Sequence, residues 1–282
     1  MKVHVIDTTL RDGEQTAGLV FSAEEKVKIA KTLDKSGIFA IEAGIPAMGP
    51  EEQDAMREIL SLGLKAQVIA WNRANLQDIL LAVNCGFQHI HVSVPVSDLH
   101  IHYKLGKSRE WVLKRLAESL EYAHSFGCRV FAGAEDASRA DEEFLLQVAE
   151  VAEKMGAERI RYADTVGCLD PFRIYNAMQS LVKRCALPIE VHLHNDFGLA
   201  TANTVSAIRA GIGLVSATVG GIGERAGNAS LERIVEVFSK LEGYDIGMDL
   251  AILPKLTQLV SNACNLSDRL QKNDILVRDD KF

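Results

Sequence analysis

Two short stretches carry most of the side chains in this sequence that could do chemistry. The first is Asp7, Thr8, Thr9, Leu10, Arg11, Asp12, Gly13, Glu14, Gln15, which places three carboxylates and an arginine directly after the apolar run Val3, His4, Val5, Ile6. Charges crowded in this way are costly to bury unless they pair or hold a cation. The second is Glu190, Val191, His192, Leu193, His194, Asn195, Asp196, far downstream. On a strand, His192 and His194 share one face and Val191 and Leu193 the other. Two imidazoles and a carboxylate suit Zn, Mn or Fe, and with added carbonyls and water also Mg. The two stretches are therefore expected to meet around one divalent metal ion. A His-x-His pair is also a common pattern of merely hydrogen-bonded histidines, and His89 and His91 alternate in the same way. Asp12 by itself reads equally as a turn or helix-start carboxylate. What favours the second pair is its context, with Asn195 and Asp196 following and the acidic cluster upstream.

The elements that must position these groups are legible in the pattern. Apolar, β-branched runs fall at roughly 2–6, 38–43, 66–71, 88–94, 128–134, 158–163, 188–193 and 214–219, with amphipathic segments between them. Ser22 with Glu25 forms a capping box before a stripe of Val27, Ala30 and Leu33, and Gly37 closes that helix. Ser108 opens a helix carrying Trp111, Leu113, Leu116 and Leu120. Asp141 caps a third that Gly156 ends, and Asp170-Pro171 starts a fourth. Strands alternating with helices require parallel pairing and right-handed crossovers. Eight such units predict a closed (β/α)8 TIM barrel over residues 1–246. A short helical extension with an exposed tail would follow over 247–282, including a helix near Leu250–Leu259 and a charged tail from Asp274 to Phe282. The alternative, an open doubly wound sheet, usually carries a glycine-rich phosphate loop after its first strand. Here a single Gly13 stands among charges. In a barrel, reactive groups gather at the C-terminal ends of the strands, where Arg11, Asp12, His192 and His194 would lie.

Composition narrows the function further. The chain has 282 residues, of which 48% are hydrophobic and 24% charged, as in ordinary globular domains. Its net charge of -7 argues against a general nucleic-acid binder, which needs a basic face. No apolar run reaches the ~20 residues of a membrane span. The cysteines, Cys85, Cys128, Cys168, Cys185 and Cys264, form no CxxC pair and read as reduced thiols. The N-terminus runs straight into a strand with no signal peptide, so a cytoplasmic protein is expected.

Asp7 to Gln15, His192 to Gly198 and the segment Gly223, Glu224, Arg225, Ala226, Gly227, Asn228, Ala229 resemble the three signatures of the metal-dependent Claisen-condensing synthases. These are the isopropylmalate, homocitrate and citramalate synthases, and the likeness is strongest to the nitrogenase-associated homocitrate synthase branch. Pro95 to Leu99, Glu135 to Asp141 and Ala163 to Gly167 support it. The resemblance implies a (β/α)8 barrel, a divalent metal (Mg, Mn or Zn) and condensation of acetyl-CoA with a 2-oxo acid, followed by thioester hydrolysis. It implies Asp12, His192 and His194 as metal ligands, with Asn228 at or near the metal. It also implies Arg11 and Glu135 as catalytic groups, the first stabilising developing oxyanion charge and the second serving proton transfer. Gln15, His91 and Thr165 would contact substrate. From the residues alone, Glu135 could instead pair with Arg139, Thr165 could be a turn hydroxyl, and His91 and His100 could pack or sit at the surface. The glycines at 220, 221, 223 and 227 lead into the last barrel helix, a weak anion-site signal by themselves.

The sequence also departs from the family pattern. Full-length members continue into a subdomain with a phenylalanine-x-histidine-glutamate segment that reaches a neighbour's active site, whereas no histidine follows His194 here. A second polypeptide supplying that part, or a fragment of a longer enzyme, is expected; a barrel-only relative using another base is the alternative. Phe131 and Gly133 stand where lysine-pathway homocitrate synthases tend to have arginine and serine. The expected activity is an acyltransferase forming homocitrate from acetyl-CoA and 2-oxoglutarate, within a homo-oligomer. Isopropylmalate or citramalate synthesis and a non-catalytic metal-binding partner subunit are the alternatives.

Overall fold

In the computed structural model, which describes residues 2–264, eight parallel strands close into a barrel. They are β1 (His4–Asp7), β2 (Ala40–Gly44), β3 (Gln67–Arg73), β4 (His89–Pro95), β5 (Arg129–Glu135), β6 (Ile160–Asp164), β7 (Ile189–Leu193) and β8 (Leu214–Ala217), paired in chain order, with β8 returning to β1. The helices are α1 (Ala23–Lys35), α2 (Pro50–Ser61), α3 (Leu76–Cys85), α4 (Arg109–Ser125), α5 (Glu142–Lys154), α6 (Pro171–Arg184), α7 (Ala200–Arg209), α8 (Leu231–Val237) and α9 (Leu253–Ala263). All eight apolar runs are strands, each shifted by no more than two residues or so at its ends.

The helix starts follow from local chemistry. Ser22 and Glu25 make the reciprocal capping box of α1. Ser108, Asp141 and Asp170 each accept from backbone N–H groups of the turn they open. The extension differs in detail from the helix expected near Leu250–Leu259. A short 3₁₀ turn, Leu250–Ile252, comes first, and α9 begins at Leu253 because Pro254 fits only a helix's opening turn. Leu256 and Val260 of α9 are buried in the same apolar layer as the barrel helices. The tail from Asp274 to Phe282, expected to be exposed, lies outside the described residues.

Strand alternation sorts the side chains. Val5, Ile41, Val92, Val130, Val191, Leu193 and Val215 point outward and are buried under the helices. Inside, Ile6, Ala40, Ile69 and Phe131 form an apolar plug. Above the plug the interior is ionic, in place of the branched aliphatic layers usual in such barrels. Glu190 accepts from Arg159 Nε at 2.7 Å, Arg161 Nε at 2.5 Å and Ser216 Oγ at 2.6 Å. Glu42 accepts from Arg11 Nε at 2.6 Å and lies 2.8 Å from Arg161 Nη2. Burial alone would push the Glu42 carboxyl up, but the Arg11 and Arg161 guanidiniums hold it well below the usual carboxylate range. A carboxyl depressed by folding stabilises the native state above its unfolded value of about 4.3 and loses that contribution as pH falls. Glu42→Gln is therefore expected to cost about 3–5 kcal/mol at pH 7, because two buried guanidiniums lose an anion. It should also lose less stability than wild type on acidification below pH ~4. Urea titrations at pH 7 and in the acid range check both; an unchanged acid limb would contradict the assignment.

Candidate active site

The mouth of the barrel is built from loops that leave the C-terminal ends of the strands. Asp12 enters on the turn after β1, whose backbone folds back through Arg11, Asp12 and Gly13 N–H groups donating to the Thr8 carbonyl. His192 is on β7, and His194 is one residue past it, in a bridge to Asn228. The Asn195 N–H donates to the Gly227 carbonyl, so the end of β7 is stitched to the glycine loop after β8. That loop can close only because Gly223 lacks a side chain: a Cβ there would lie 2.6 Å from Asp12 Oδ1 and collide with the Asn228 amide.

These elements bring Asp12, His192 and His194 together. Asp12 Oδ2 is 3.3 Å from His192 Nε2 and 3.9 Å from His194 Nε2, and one donor atom from each of the three lies within 4.8 Å of the others. Donors of one such ion, at about 2.0–2.2 Å each, sit no more than about 4.4 Å apart, so a small tightening would seat all three. The chemistry of the set agrees. Burial disfavours the Asp12 anion, yet Arg11 and the two histidines hold its carboxyl well below the usual range. Burial and the neighbouring His192 lower the His194 imidazole to about 4, which leaves its lone pair free at neutral pH. The buried Asn228 donates its Nδ2 to Asp12 Oδ1 at 2.6 Å, while its Oδ1 has no partner.

The expectation of a shared site needs one correction. Of the three carboxylates near the start, only Asp12 faces the histidines. Asp7 accepts from the Thr9 N–H and hydroxyl, and burial raises it to about 7. Glu14 accepts from Lys26 and from the Phe21 N–H. From the second stretch, Glu190 serves the arginines below, and Asp196 accepts from Arg225.

The remaining candidates line one cavity of about 280 Å³ with the trio: Arg11, Gln15, His91, Glu135 and Thr165. Arg11 donates to Asp12 at 2.7 Å and to Glu42, with its guanidinium 5.6 Å from the centre of the Trp71 ring. Gln15 links Arg11 to Glu224. Glu135 pairs with His100 at 3.0 Å and with Lys104 at 2.7 Å, both on the π-helical turn His100–Leu105. Arg139 pairs instead with Asp136, so the alternative pairing read from sequence is not made. The Thr165 hydroxyl accepts from the Asp136 N–H at 2.8 Å while lining the cavity. His100 is thus drawn to the site rather than left at the surface. Arg225 spans three loops, donating to Asp196 and to the Thr165 carbonyl. Sequence reading missed Arg161, Trp71 and Lys104 in the lining. Parity was the available signal for Arg161, which shares the inward face of β6 with Ala163.

Asp12, His192 and His194 thus converge at the mouth of a (β/α)8 barrel beside a fixed arginine, a donor set that could hold one metal ion. The profile of the HMGL-like family matches residues 2–260, and the chain belongs to that family. Among its relatives, homocitrate synthase 1 of Nostoc sp. is 50% identical over 93% of this chain and 70% of its own length. 2-Isopropylmalate synthase 2 of Caldanaerobacter subterraneus is 45% identical over 93% of this chain and 68% of its own. Homocitrate synthase subunit alpha of Clostridium pasteurianum is 44% identical over 87% of this chain and 91% of its own. The HMG-CoA lyase of Bacillus subtilis shares the fold, with a TM-score of 0.83 over 94% of each chain at 20% identity. No described helix is long and apolar enough to cross a membrane.

Proposed function

We propose that this chain is the barrel part of an acyltransferase that condenses acetyl-CoA with 2-oxoglutarate to give homocitrate and CoA. The observation that carries the reading is the convergence of Asp12, His192 and His194 with Arg11 in one cavity of a chain half identical to a homocitrate synthase. Asp12, His192 and His194 would hold the ion, and the Asn228 amide would orient Asp12. A bound divalent ion would supply Lewis-acid polarisation of the 2-oxo group. Arg11, pinned by Glu42 and Asp12, would face the oxygen on which negative charge develops, without reorganising as it does so. Thr165 would hold the acid's carboxylate, while Gln15 and His91 would contact substrate. Glu135, with His100 and Lys104 against it, would move protons at the acetyl end.

Two features support a second polypeptide carrying the rest of the site. A relative of similar extent is named as an alpha subunit. Around the mouth, the loops after β1, β4 and β7 expose Val20, Leu99, Tyr103 and Phe197. Such a complex would add a further chain to the expected homo-oligomer.

Release of free thiol from acetyl-CoA, measured with a panel of 2-oxo acids, tests the reading. The chain is assayed alone and with the part of the Nostoc relative outside the match supplied in trans. Release with 2-oxoglutarate on mixing is expected. Release by the barrel alone would contradict the need for a second polypeptide, and no release in any combination would contradict the enzyme reading. The similarity to an isopropylmalate synthase supports a second reading, which preferential release with 2-oxoisovalerate would favour. Gly223→Ala is expected to keep the barrel folded and weaken Mn²⁺ binding about 10–100-fold, by displacing the Asn228 amide that orients Asp12. Calorimetric titration with Mn²⁺ checks this; unchanged affinity would contradict it.

A further inference from the structure

The cavity continues below the metal trio to the ionic layer of the barrel, where Arg161 of β6 and His91 of β4 line it. Arg161 is 3% exposed. Its Nε is taken by Glu190 and its Nη2 is ion-paired with Glu42 at 2.8 Å, while Nη1 has no partner. Both ring nitrogens of the buried His91 also lack partners. Burial and the adjacent Arg161 keep that imidazole neutral, so it offers one N–H. Donors this deep are rarely left unmatched, and an acceptor that arrives with substrate resolves them. Gly133, paired in register with Arg161, keeps the space open, because a Cβ there would collide with His91 Nε2.

Strand five cannot supply the acceptor's partner. Phe131 is buried in the apolar plug, with the Arg159 guanidinium 3.6 Å from its ring centre. Charge points to an anion as well. The buried ionic groups that converge on the cavity and its floor are Arg11, Arg159 and Arg161 against Asp12, Glu42 and Glu190, which balance. A divalent ion on the trio adds two positive charges. A 2-oxo diacid restores neutrality there, whereas a 2-oxo monoacid leaves one positive charge buried.

We propose that Arg161, with His91 beside it, is the specificity-determining pair that binds the second carboxylate of a 2-oxo diacid. The assignment rests on the condensation reading above and adds to it the group that selects diacids over apolar 2-oxo acids. Arg161 contributes its unpaired Nη1 as a charge-assisted donor, and His91 contributes one N–H.

The test compares 2-oxoglutarate with 2-oxoisovalerate by calorimetry in the presence of Mn²⁺, on wild type, Arg161→Gln and Gly133→Ala. Wild type is expected to prefer the diacid. In Arg161→Gln that preference should fall roughly 10–150-fold, the loss of a charge-assisted contact, with monoacid affinity nearly unchanged. Gly133→Ala leaves every ionic contact in place and crowds His91; it should weaken the diacid selectively, and it keeps the test decisive if Arg161→Gln does not fold. A diacid preference that survives both substitutions overturns the assignment alone, as does equal weakening of both acids. A wild-type chain that binds neither acid overturns the condensation reading and this assignment together.

Discussion

Arg11→Ala is expected to lower turnover by at least about 10²–10³-fold while the chain still takes up one Mn²⁺. The magnitude follows from how the guanidinium is held. Its Nε is fixed on Glu42 and its Nη1 on Asp12, and it is 8% exposed, so it cannot swing away when charge develops beside it. A donor fixed in a dry site stabilises developing charge without reorganising, which a flexible surface group cannot do. The substitution also strips Glu42 of one of its two cations. Arg11→Lys serves as the control, because it keeps a charge but cannot reach both carboxylates as a fork. It should fold, bind Mn²⁺ and remain at least tenfold below wild type, on the order of one lost charge-assisted hydrogen bond. The measurement is the kcat of the complete enzyme beside a calorimetric Mn²⁺ titration of each variant. Wild-type-like turnover in Arg11→Ala would remove the arginine from the mechanism.

The second large effect is expected for the metal trio. His192→Ala should abolish one-to-one Mn²⁺ binding and, with it, activity that Mn²⁺ restores to chelator-treated wild type. A stability readout accompanies it and does not depend on substrate. Mn²⁺ at about 100 times its Kd should stabilise wild type by about 2.7 kcal/mol. The same addition should leave the variant unchanged. Asp12→Asn should behave alike, since the carboxylate is the anionic member of the trio and already faces both imidazoles. An Mn²⁺-dependent rise in Tm that persists in both variants would mean the ion binds elsewhere.

Much of this could be read before any coordinates. The strands were legible because each is a short β-branched run buried against helices, and the helices because Ser22, Ser108, Asp141 and Asp170 are real caps. Barrel geometry applied to strands one and seven placed the two stretches at one mouth, and the family resemblance singled out Asp12 with His192 and His194. The interior escaped notice for a physical reason. A lone Glu42 or Arg161 within an apolar run reads as an edge or surface residue, and only closure of the barrel shows that they face each other and Glu190. The acidic stretch after β1 misled in the opposite way. Its local density suggested a shared cation, but Thr9 and Lys26 satisfy Asp7 and Glu14 separately. The pairing of Arg139 was likewise invisible, because Asp136 sits in the left-handed region (φ 62°) and turns its carboxylate to Arg139 while Glu135 faces the cavity.

A crystal of the full chain soaked with Mn²⁺, and mapped at a wavelength where manganese scatters anomalously, addresses the central claim directly. The expected result is one strong peak about 2.0–2.2 Å from an Asp12 carboxylate oxygen and from a ring nitrogen of both His192 and His194. A peak beyond ligand reach of either histidine, or none at saturating Mn²⁺, would contradict it.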